Sequence, residues 1–369
     1  MRATEKKHIV FVCSRLDLPG GIERAIVNTA NLLVKNEFNV TLLVLDETDH
    51  CFYHVLESVR IKQVHLSFGI VPEGNVLTRK VSFMQDIYAL RKELLSLNPD
   101  TIIATEYPFS IAIVLARLKR KVQLVSWEHH HLYEMPKNTF WRSLFAFAYP
   151  RLDGIVCLNQ DEENLFSRYN KNVSVIPNFC VDTSPNPTQL SGKKRLLTIG
   201  RLTHVKGTDL LLPVAAQVLK RHLDWEWKLI GEGDMHEEVN QFIKANMLQQ
   251  QLLLQKPLTP SIEHEYRDAS IYVMTSRNEC FPMTLLEAMQ EGAPCVAFDC
   301  ETGPRAIIQH NENGMLIEPE NINAMAAALQ LLMNDVEKRE RMGEVAFRSM
   351  ERFSAKKILS QWEHLFSTL

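Results

Sequence analysis

The sequence has no C-x-x-C motif, and its seven cysteines are scattered over 369 residues. This distribution is typical of reduced thiols and argues against a disulfide frame or a zinc site. Long apolar runs are also missing, since no segment approaches the roughly 18 apolar residues of a membrane-spanning helix. The apolar run after the charged opening residues is too short for a secretory signal. We therefore expect a cytoplasmic protein that is neither exported nor integral to a membrane.

The chain also lacks an excess of charge of either sign. It carries 41 basic and 44 acidic residues, which gives a net charge of −3. Such a balance creates no general attraction for nucleic acid, so we expect no nucleic-acid partner. The G-x-G-x-x-G fingerprint of dinucleotide-binding proteins is absent, which counts against a nicotinamide or flavin enzyme.

What the sequence does contain is a regular alternation of short β-branched runs and longer helical patterns. One example is HIVFVC followed by IERAIVNTANLLVKN. Such alternation predicts parallel sheets covered by helices. A stretch rich in Pro, Asn, Ser and Thr at 179–193 interrupts the pattern and is predicted to be a linker. We therefore predict an α/β protein with two doubly wound domains, at 1–180 and 193–352. A C-terminal helix at 353–369 is predicted to pack back on the first domain.

Two cations follow a predicted strand of the second domain. Arg201 comes directly after the strand that ends at Gly200, and Lys206 precedes a helix that we expect to open around Thr208, its predicted N-cap. In open parallel sheets, ligands bind beyond the carboxyl ends of the strands. A helix N-terminus there adds its own attraction for anions. The two residues therefore predict an anion site, with a solvated surface pair as the alternative.

Two glutamates bracket a turn in the segment SRNECFPMTLLEAM. Glu279 precedes the turn and Glu287 lies in the following predicted helix, with seven residues between them. Pro282 favours a helix start at itself or at the next residue, because a missing N–H costs little there. A carboxylate accepts two hydrogen bonds from a vicinal diol. Two carboxylates beside an anion site therefore predict a nucleotide sugar as the ligand.

With these motifs the chain resembles the retaining family-4 glycosyltransferases with the GT-B fold. The matching segments are, in order, GGIERAIVNTANLL, WEHH, VIPN, GRLTHVKGTDLL, LIGEGD, RDASIYVMTSRNECFPMTLLEAM, DCETGPRAII and NGMLI, and they cover nearly the whole chain. The resemblance implies two Rossmann-like domains with a deep inter-domain cleft. The first would bind the acceptor and the second the nucleotide sugar.

The resemblance also implies roles for individual residues. Arg201 and Lys206 would bind the donor diphosphate and stabilise it as it leaves. Glu287 would hold the ribose, Glu279 would contact the sugar, and the segment from Gly231 to Asp234 would lie near the base. The predicted donor-binding residues are Gly20, Gly21, Arg201, Lys206, Gly231, Glu279, Phe281, Pro282, Met283, Thr284 and Glu287.

The N-terminal domain is expected to supply the remaining site residues. Gly20 and Gly21 precede a helix and would let the backbone approach the donor closely, although any tight turn uses such glycines. By the resemblance, His129 lies near the reacting carbon and the acceptor, so the predicted catalytic residues are His129, Arg201, Lys206 and Glu279. Arg24 is a candidate for an anionic group of the acceptor, with a salt bridge in the first helical turn as the alternative.

Three histidines in a row suggest a metal site, but adjacent side chains on an extended chain point in opposite directions. We therefore expect His130 and His131 at the surface. The D-x-D motif of metal-dependent transferases is absent as well. No metal and no other cofactor is expected, and the charges of Arg201 and Lys206 would replace those of a divalent ion.

The resemblance implies a hexosyltransferase that moves a hexose or N-acetylhexosamine with retention. We expect a UDP sugar as the donor and a lipid-linked glycan acceptor in bacterial surface polysaccharide assembly. The chain departs from the usual family pattern at Cys280, at Ala306 and at 255–257, and these departures concern the shape of the sugar pocket. Alternatives are a GT-B sugar-nucleotide epimerase or phosphorylase, and a carbohydrate-binding protein without catalytic activity.

A membrane surface is a further expected partner. In the segment 136–152, Trp141, Leu144, Phe145, Ala148 and Leu152 follow helical spacing, with basic residues at Lys137, Arg142 and Arg151. A helix of this kind can lie in a membrane interface, and the basic segment 117–121 would add attraction to anionic lipids. The alternative is that the aromatic face packs on the N-terminal sheet.

Overall fold

The structure is a computed structural model that describes residues 6–46, 50–66, 68, 76–116, 118, 121–134, 138–181, 193–257 and 262–369. The predicted linker falls mostly outside these ranges, as do Lys137 and most of the basic segment 117–121. The chain divides into two compact units. Unit 1 comprises Met1–Pro177 with Lys356–Leu369, and unit 2 comprises Asn178–Ala355.

Unit 1 is a parallel sheet with helices in the crossover connections. Its elements up to residue 177 are β1 (His8–Cys13), α1 (Gly21–Lys35), β2 (Asn39–Val44), β3 (Arg60–Gln63), α2 (Val76–Leu97), β4 (Thr101–Ala104), α3 (Tyr107–Leu115), β5 (Gln123–Trp127), α4 (Thr139–Ala148), β6 (Gly154–Cys157), α5 (Gln160–Phe166) and β7 (Val173–Val175). Short 3₁₀ turns lie at Leu132–Glu134 and Tyr149–Arg151. The strand order is β3-β2-β1-β4-β5-β6-β7, so the winding direction reverses between β1 and β4.

Unit 2 repeats this construction. Its elements are β8 (Arg195–Ile199), α6 (Thr208–Leu219), β9 (Glu226–Ile230), α7 (His236–Ala245), β10 (Leu252–Gln255), α8 (Glu263–Arg267), β11 (Ile271–Met274), α9 (Met283–Gln290), β12 (Cys295–Phe298), α10 (Pro304–Ile307), β13 (Gly314–Ile317), α11 (Ile322–Asn334) and α12 (Val336–Ser349), followed by a 3₁₀ turn at Met350–Phe353. The strand order is β10-β9-β8-β11-β12-β13, which reverses between β8 and β11.

The last helix, α13 (Ala355–Thr368), buries its apolar face in unit 1. Trp362 is fully buried and meets the ring of Trp127 on β5 edge to face, with centroids 5.3 Å apart. Phe366 contacts Phe38, and its carbonyl accepts a hydrogen bond from Lys7 Nζ at 2.7 Å. Unit 1 is therefore assembled from two separate stretches of sequence.

Local sequence explains why these elements form. The central strands are almost continuous apolar runs, because helices cover both faces of a parallel sheet. In β1, for example, every residue after His8 is buried. Side-chain caps fix several helix starts: Asn138 accepts from Trp141 N in α4, Asn159 from Glu162 N in α5, and Asn321 from Ala324 N in α11. Each cap satisfies one N–H group that the helix itself leaves unpaired.

Candidate active site

The loops that follow β8 and β11 lie at the point where the strand order of unit 2 reverses. In an open α/β sheet this is the position at which ligands bind. Arg201 follows β8, as the sequence predicted, and its side chain is exposed. The helix after it begins at Thr208, but Thr208 is buried and the N-cap is Gly207. The prediction of Thr208 as N-cap was therefore wrong, because Gly207 takes the left-handed φ of +65° that a side chain would disfavour.

Lys206 and Glu279 meet directly at this edge of the sheet. Lys206 Nζ lies 2.6 Å from Glu279 Oε1, and their side chains are 27% and 10% exposed. Ser276 Oγ donates to the same carboxylate oxygen at 2.7 Å. On the backbone side, Thr302 Oγ1 donates to the Glu279 carbonyl at 2.7 Å. The structure therefore places a cation beside a carboxylate whose position is fixed from two directions.

The turn after Glu279 leads into α9 as predicted, with Pro282 at the N-cap position and Met283 as the first helical residue. The side chains of Phe281, Pro282 and Met283 are buried, so any contact with a ligand there would come from backbone groups. Asn178 supports the turn, since its Nδ2 donates to the Phe281 carbonyl at 3.2 Å. This contact spans 103 positions in the sequence and could not be read from it.

Glu287 is buried in the second turn of α9. The hydroxyl of Tyr266, from the end of α8, donates to Glu287 Oε2 at 2.6 Å. A hydrogen bond to a carboxylate is stronger than one between neutral groups, so Tyr266 fixes one oxygen of Glu287. Thr284, in the first turn of α9, bonds the side chain of Tyr272, whose pKa is raised chiefly by burial. Sequence reasoning found Glu287 but not its tyrosine partner.

The glycines of the GEGD segment are required by close backbone packing. A Cβ at Gly231 would overlap the carbonyl oxygen of Gly200, and a Cβ at Gly233 would overlap the backbone of Leu202. Leu202 N also donates to Glu232 O at 2.9 Å. The segment therefore supports the loop that carries Arg201. The predicted proximity of Gly231 to the nucleotide base stays a prediction.

The loop after β1 in unit 1 holds the two glycines. Gly20 is the N-cap of α1 in extended conformation and Gly21 is the first helical residue. A Cβ at Gly20 would overlap the carboxylate of Glu23, so the acidic group lies over the glycine. Arg24 places its guanidinium 5.3 Å from the ring centroid of Tyr53. A stacking contact of this kind holds Arg24 against the surface of unit 1.

His129 follows β5 and is buried. Its ring lies 4.3 Å from that of Trp127, and burial lowers its pKa to about 3, with a smaller contribution from His130. Nε2 of His129 is buried and has no hydrogen-bond partner within the described part of the chain. A neutral imidazole can donate a hydrogen bond to a substrate or accept one from it, but it cannot supply a positive charge.

The prediction that both following histidines lie at the surface was half right. His130 is exposed, whereas His131 is buried and its Nδ1 bonds Glu162 Oε1 on α5. Glu162 also accepts from Leu132 N at 3.4 Å. Burial raises the pKa of Glu162, and its bond to His131 opposes that change. The pair ties the segment after β5 to the helix after β6, a contact between residues 31 positions apart.

Two further carboxyl groups follow the central strands of unit 1 and were not identified from the sequence. Glu106 comes after β4, accepts from Ser14 Oγ at 3.1 Å, and has its pKa raised chiefly by burial. Glu128 comes after β5 and accepts from Ser126 and from the hydroxyl of Tyr149. Their positions directly after strands could have identified them as candidate site residues, because polar residues at the carboxyl ends of buried strands are seldom needed for packing.

The predicted membrane-binding face of α4 is packed inside unit 1. Phe145, Ala148 and Leu152 are buried in its core, and Trp141 and Leu144 pack against it. The interpretation of this face as membrane-binding was therefore wrong, and the packing alternative was right. Helical spacing could not decide between the two, because both require one continuous apolar face.

Among the residues that the structure describes, no helix is both long and apolar enough to cross a bilayer. In the same part of the chain, no three His, Cys, Asp or Glu side chains are grouped as a metal site would require.

Comparison with known proteins places this geometry in a family. The model described as "Glycosyltransferase Family 4" matches residues 19–184, and "Glycosyl transferases group 1" matches residues 182–349. An uncharacterized glycosyltransferase of Haemophilus influenzae is 28% identical, over 97% of this chain and 99% of the relative.

A Campylobacter jejuni relative is 26% identical over 97% of this chain and 98% of its own length. Its name is "GalNAc-alpha-(1->4)-GalNAc-alpha-(1->3)-diNAcBac-PP-undecaprenol alpha-1,4-N-acetyl-D-galactosaminyltransferase". Among solved structures, Staphylococcus aureus TarM superposes with a TM-score of 0.83 at 17% identity, over 98% of this chain and 99% of the other. These findings confirm the predicted fold class and family. The chain therefore belongs to the family-4 glycosyltransferases and is a glycosyltransferase with the GT-B fold.

Proposed function

We propose that the protein transfers a hexose or N-acetylhexosamine, with retention, from a UDP sugar to a lipid-linked glycan of a bacterial surface polysaccharide. The contact between Lys206 and Glu279 carries the proposal. It places a cation suited to a diphosphate within one hydrogen bond of a carboxylate suited to sugar hydroxyls. The exposed Arg201 adds a second cation, and the buried Glu287 adds a second carboxylate on the helix that follows.

The comparisons support the substrate classes. The TarM structure was determined with UDP bound, and the name of the Campylobacter relative describes transfer of N-acetylgalactosamine to an undecaprenol-linked glycan. In this chain, Glu287 would accept hydrogen bonds from the ribose, and the N–H groups at the start of α9 would face the diphosphate. The bond from the Tyr266 hydroxyl holds the Glu287 carboxylate in position for that role.

In the proposed mechanism, an acceptor hydroxyl attacks the anomeric carbon from the face on which the diphosphate departs. The bond from that carbon to the phosphate oxygen breaks as the new glycosidic bond forms, and the hydroxyl proton passes to the departing phosphate oxygen. Arg201 and Lys206 stabilise the charge that develops on the diphosphate. Glu279 contacts the sugar, and neutral His129 exchanges a hydrogen bond with a substrate hydroxyl. Catalysis then depends on positioning and electrostatic stabilisation.

A screen of nucleotide sugars with mass-spectrometric readout tests the proposal. Polyprenyl-diphosphate glycans serve as acceptors, and NMR of the product reports the anomeric configuration. We expect transfer from a UDP-hexose or UDP-N-acetylhexosamine with the donor's configuration kept. Epimerised donor without acceptor, or cleavage that requires inorganic phosphate, would support the epimerase or phosphorylase alternative. Sugar binding without turnover of any donor would support a binding protein.

We also propose that turnover requires no divalent metal, because Arg201 and Lys206 provide the positive charge that a metal would bring to the diphosphate. Initial rates of metal-stripped protein in excess EDTA should equal those in Mg²⁺. Loss of activity in EDTA that Mg²⁺ or Mn²⁺ restores would contradict this proposal, while leaving the transfer reaction itself established.

We propose that the protein acts on the cytoplasmic face of the inner membrane. The surface that would contact the membrane differs from the face of segment 136–152 that the sequence predicted. Val81, Met84 and Tyr88 lie on one face of α2, and Met84 and Tyr88 are 63% and 73% exposed. Phe83 of the same helix is buried and contacts Phe140 of α4, with ring centroids 6.3 Å apart, so the two helices are neighbours in unit 1.

Aromatic and basic groups are also exposed on the neighbouring helix α4. Phe140 and Phe147 are exposed, and the guanidinium of Arg151 lies 3.9 Å from the ring centroid of Phe147. Arg142 is exposed on the same helix. Aromatic side chains beside cations favour the interface of an anionic bilayer. We refer to Val81, Met84, Tyr88, Phe140 and Phe147 as the exposed apolar face of unit 1.

A further inference from the structure

The loop that carries both cations is held near its ends, where Leu202 N donates to Glu232 O at 2.9 Å and Thr275 Oγ1 donates to Gly207 O at 3.0 Å. This β8–α6 loop, residues 200–207, contains backbone bonds from Gly207 N to His204 O at 3.0 Å and from Thr208 N to Thr203 O at 3.3 Å. The side chains of His204 and Val205 are largely exposed. The exposed middle of the loop would sample several conformations unless other groups restrained it.

Arg277, two residues before Glu279, provides such a restraint from the loop after β11. Its backbone N donates to Val205 O at 2.9 Å, and its Nη1 donates to His204 O at 2.6 Å. The guanidinium also makes two parallel bonds of 2.7 Å to the carboxylate of Asp209, in the first turn of α6. Nε donates to Glu320 at 2.7 Å. One side chain thus holds the loop and the start of the following helix together.

The charge of Arg277 is balanced within this cluster. Two carboxylates, Asp209 and Glu320, surround the guanidinium, and the pKa of Arg277 is raised first by its bond to Asp209. In turn, Arg277 lowers the pKa of Asp209. Four of the five guanidinium N–H groups are engaged in these bonds. A guanidinium in this state is suited to fixing a backbone rather than to binding a phosphate.

We infer that Arg277 is a positioning residue that fixes the β8–α6 loop, so that Arg201 and Lys206 present their charges to the donor diphosphate. The inference rests on the proposed function for its consequence, but the restraint itself concerns the ligand-free protein. A positioning role and a direct role in phosphate binding predict opposite effects of removing the charge of Asp209. If Arg277 bound phosphate itself, removing the charge of Asp209 would free it and would maintain or strengthen binding.

Arg277→Lys and Asp209→Asn test the inference together. Lysine keeps the positive charge but loses the paired bonds, and asparagine keeps the size of the side chain but loses the charge. In both variants, isothermal titration should show affinity for UDP lowered about tenfold or more, with affinity for uridine unchanged. Hydrogen–deuterium exchange of the ligand-free variants should show faster exchange in peptides that cover 203–208. Arg348→Lys, which alters an exposed ion-paired arginine on α12, is the matched control for both measurements.

Unchanged exchange at 203–208 in both variants would overturn the inference, and so would wild-type or tighter binding of UDP by Asp209→Asn. Loss of uridine binding to the same extent as UDP would also overturn it, because the effect would then reach beyond the diphosphate. A wild-type protein that binds UDP no better than uridine would instead contradict the proposed donor, and the exchange measurement would still decide the restraint.

Discussion

At the scale of single residues, Lys206 is paired with Glu279 in the ligand-free protein, so a donor diphosphate would meet a lysine that already has an anionic partner. Lys206 is partly exposed and Glu279 is nearly buried, so the pair is less screened than a surface salt bridge. An incoming diphosphate would give Lys206 a second anionic partner. Ser276 would continue to hold Glu279 in place, since its bond is made to the same carboxylate oxygen.

Arg201→Ala and Lys206→Ala are each expected to lower kcat by about 10²–10³-fold, because in the proposed mechanism both charges act on the leaving diphosphate more strongly than on the bound donor. The measurement is steady-state kinetics with the donor found by screening, alongside thermal unfolding to show that the fold is intact. Lys194→Ala removes another ion-paired lysine of unit 2 and should leave kcat unchanged. Near-wild-type turnover in the Arg201→Ala, Lys206→Ala double variant would contradict the assignment.

His129 should make unit 1 less stable at acid pH. Its pKa in the folded protein, about 3, lies below the usual value of 6.5, so between these values the unfolded chain binds a proton that the folded chain does not. Stability from this group is complete above pH 7 and falls as the pH falls, by roughly 2 kcal/mol between pH 7 and pH 5. Urea unfolding of wild type and His129→Gln at pH 7 and pH 5 measures this loss of stability. An equal loss in the two proteins would refute the expectation.

Sequence reasoning located charged residues at strand ends, but it did not locate their partners. Arg201, Lys206 and Glu279 could be found because the carboxyl ends of parallel strands converge on one edge of a sheet. Tyr266 and Asn178 could not, because the contacts they make depend on how α8 and the turn before α9 pack in three dimensions. His131 was misplaced for the same reason, since its carboxylate partner follows a different strand.

At the scale of secondary-structure elements, the start of α6 depends on one glycine. Gly207 has φ of +65°, and a Cβ there would overlap the carbonyl oxygen of Thr275, whose hydroxyl donates to Gly207 O at 3.0 Å. Gly207→Ala should cost about 1 kcal/mol for the left-handed backbone and should also push the loop away from β11. We expect kcat to fall by about tenfold or more in a protein that remains folded.

The matched control is Gly200→Ala in the same loop. A Cβ at Gly200 would meet no atom within 4 Å in the described structure, so this variant should retain most of its activity. Steady-state kinetics of the two variants provide the comparison. Equal activity of Gly207→Ala and Gly200→Ala would show that the left-handed residue has no part in holding Lys206.

The central strands and most helices could be predicted, whereas three edge strands could not. β3, β7 and β13 each lie at the edge of a sheet and have only three or four residues. β3 is largely exposed, so its sequence, RIKQ, lacks the continuous apolar run that marks a strand covered on both faces. Edge strands form because a neighbour offers hydrogen bonds, and that information lies elsewhere in the chain.

At the scale of the whole molecule, the exposed apolar face of unit 1 should confer weak, salt-sensitive binding to anionic vesicles. Co-sedimentation with anionic and neutral vesicles at low and high salt measures it. Met84→Asp combined with Phe147→Asp should reduce binding several-fold, because each places a charge where apolar contact is expected. Leu223→Asp with Met247→Asp is the control, since these unit 2 residues are 80% and 84% exposed. Equal, negligible binding of the wild type under all conditions would favour a soluble acceptor.

The return of α13 to unit 1 has a consequence for biosynthesis. A ribosome delivers unit 2 as one uninterrupted stretch, which is able to fold as soon as it has emerged. Unit 1 begins earlier but must wait for residues 356–369, since until then Trp127 lacks the buried ring of Trp362 against which it packs. The domain made first is thus completed last, and a nascent chain that stops after unit 2 would leave an open apolar surface for chaperones to recognise.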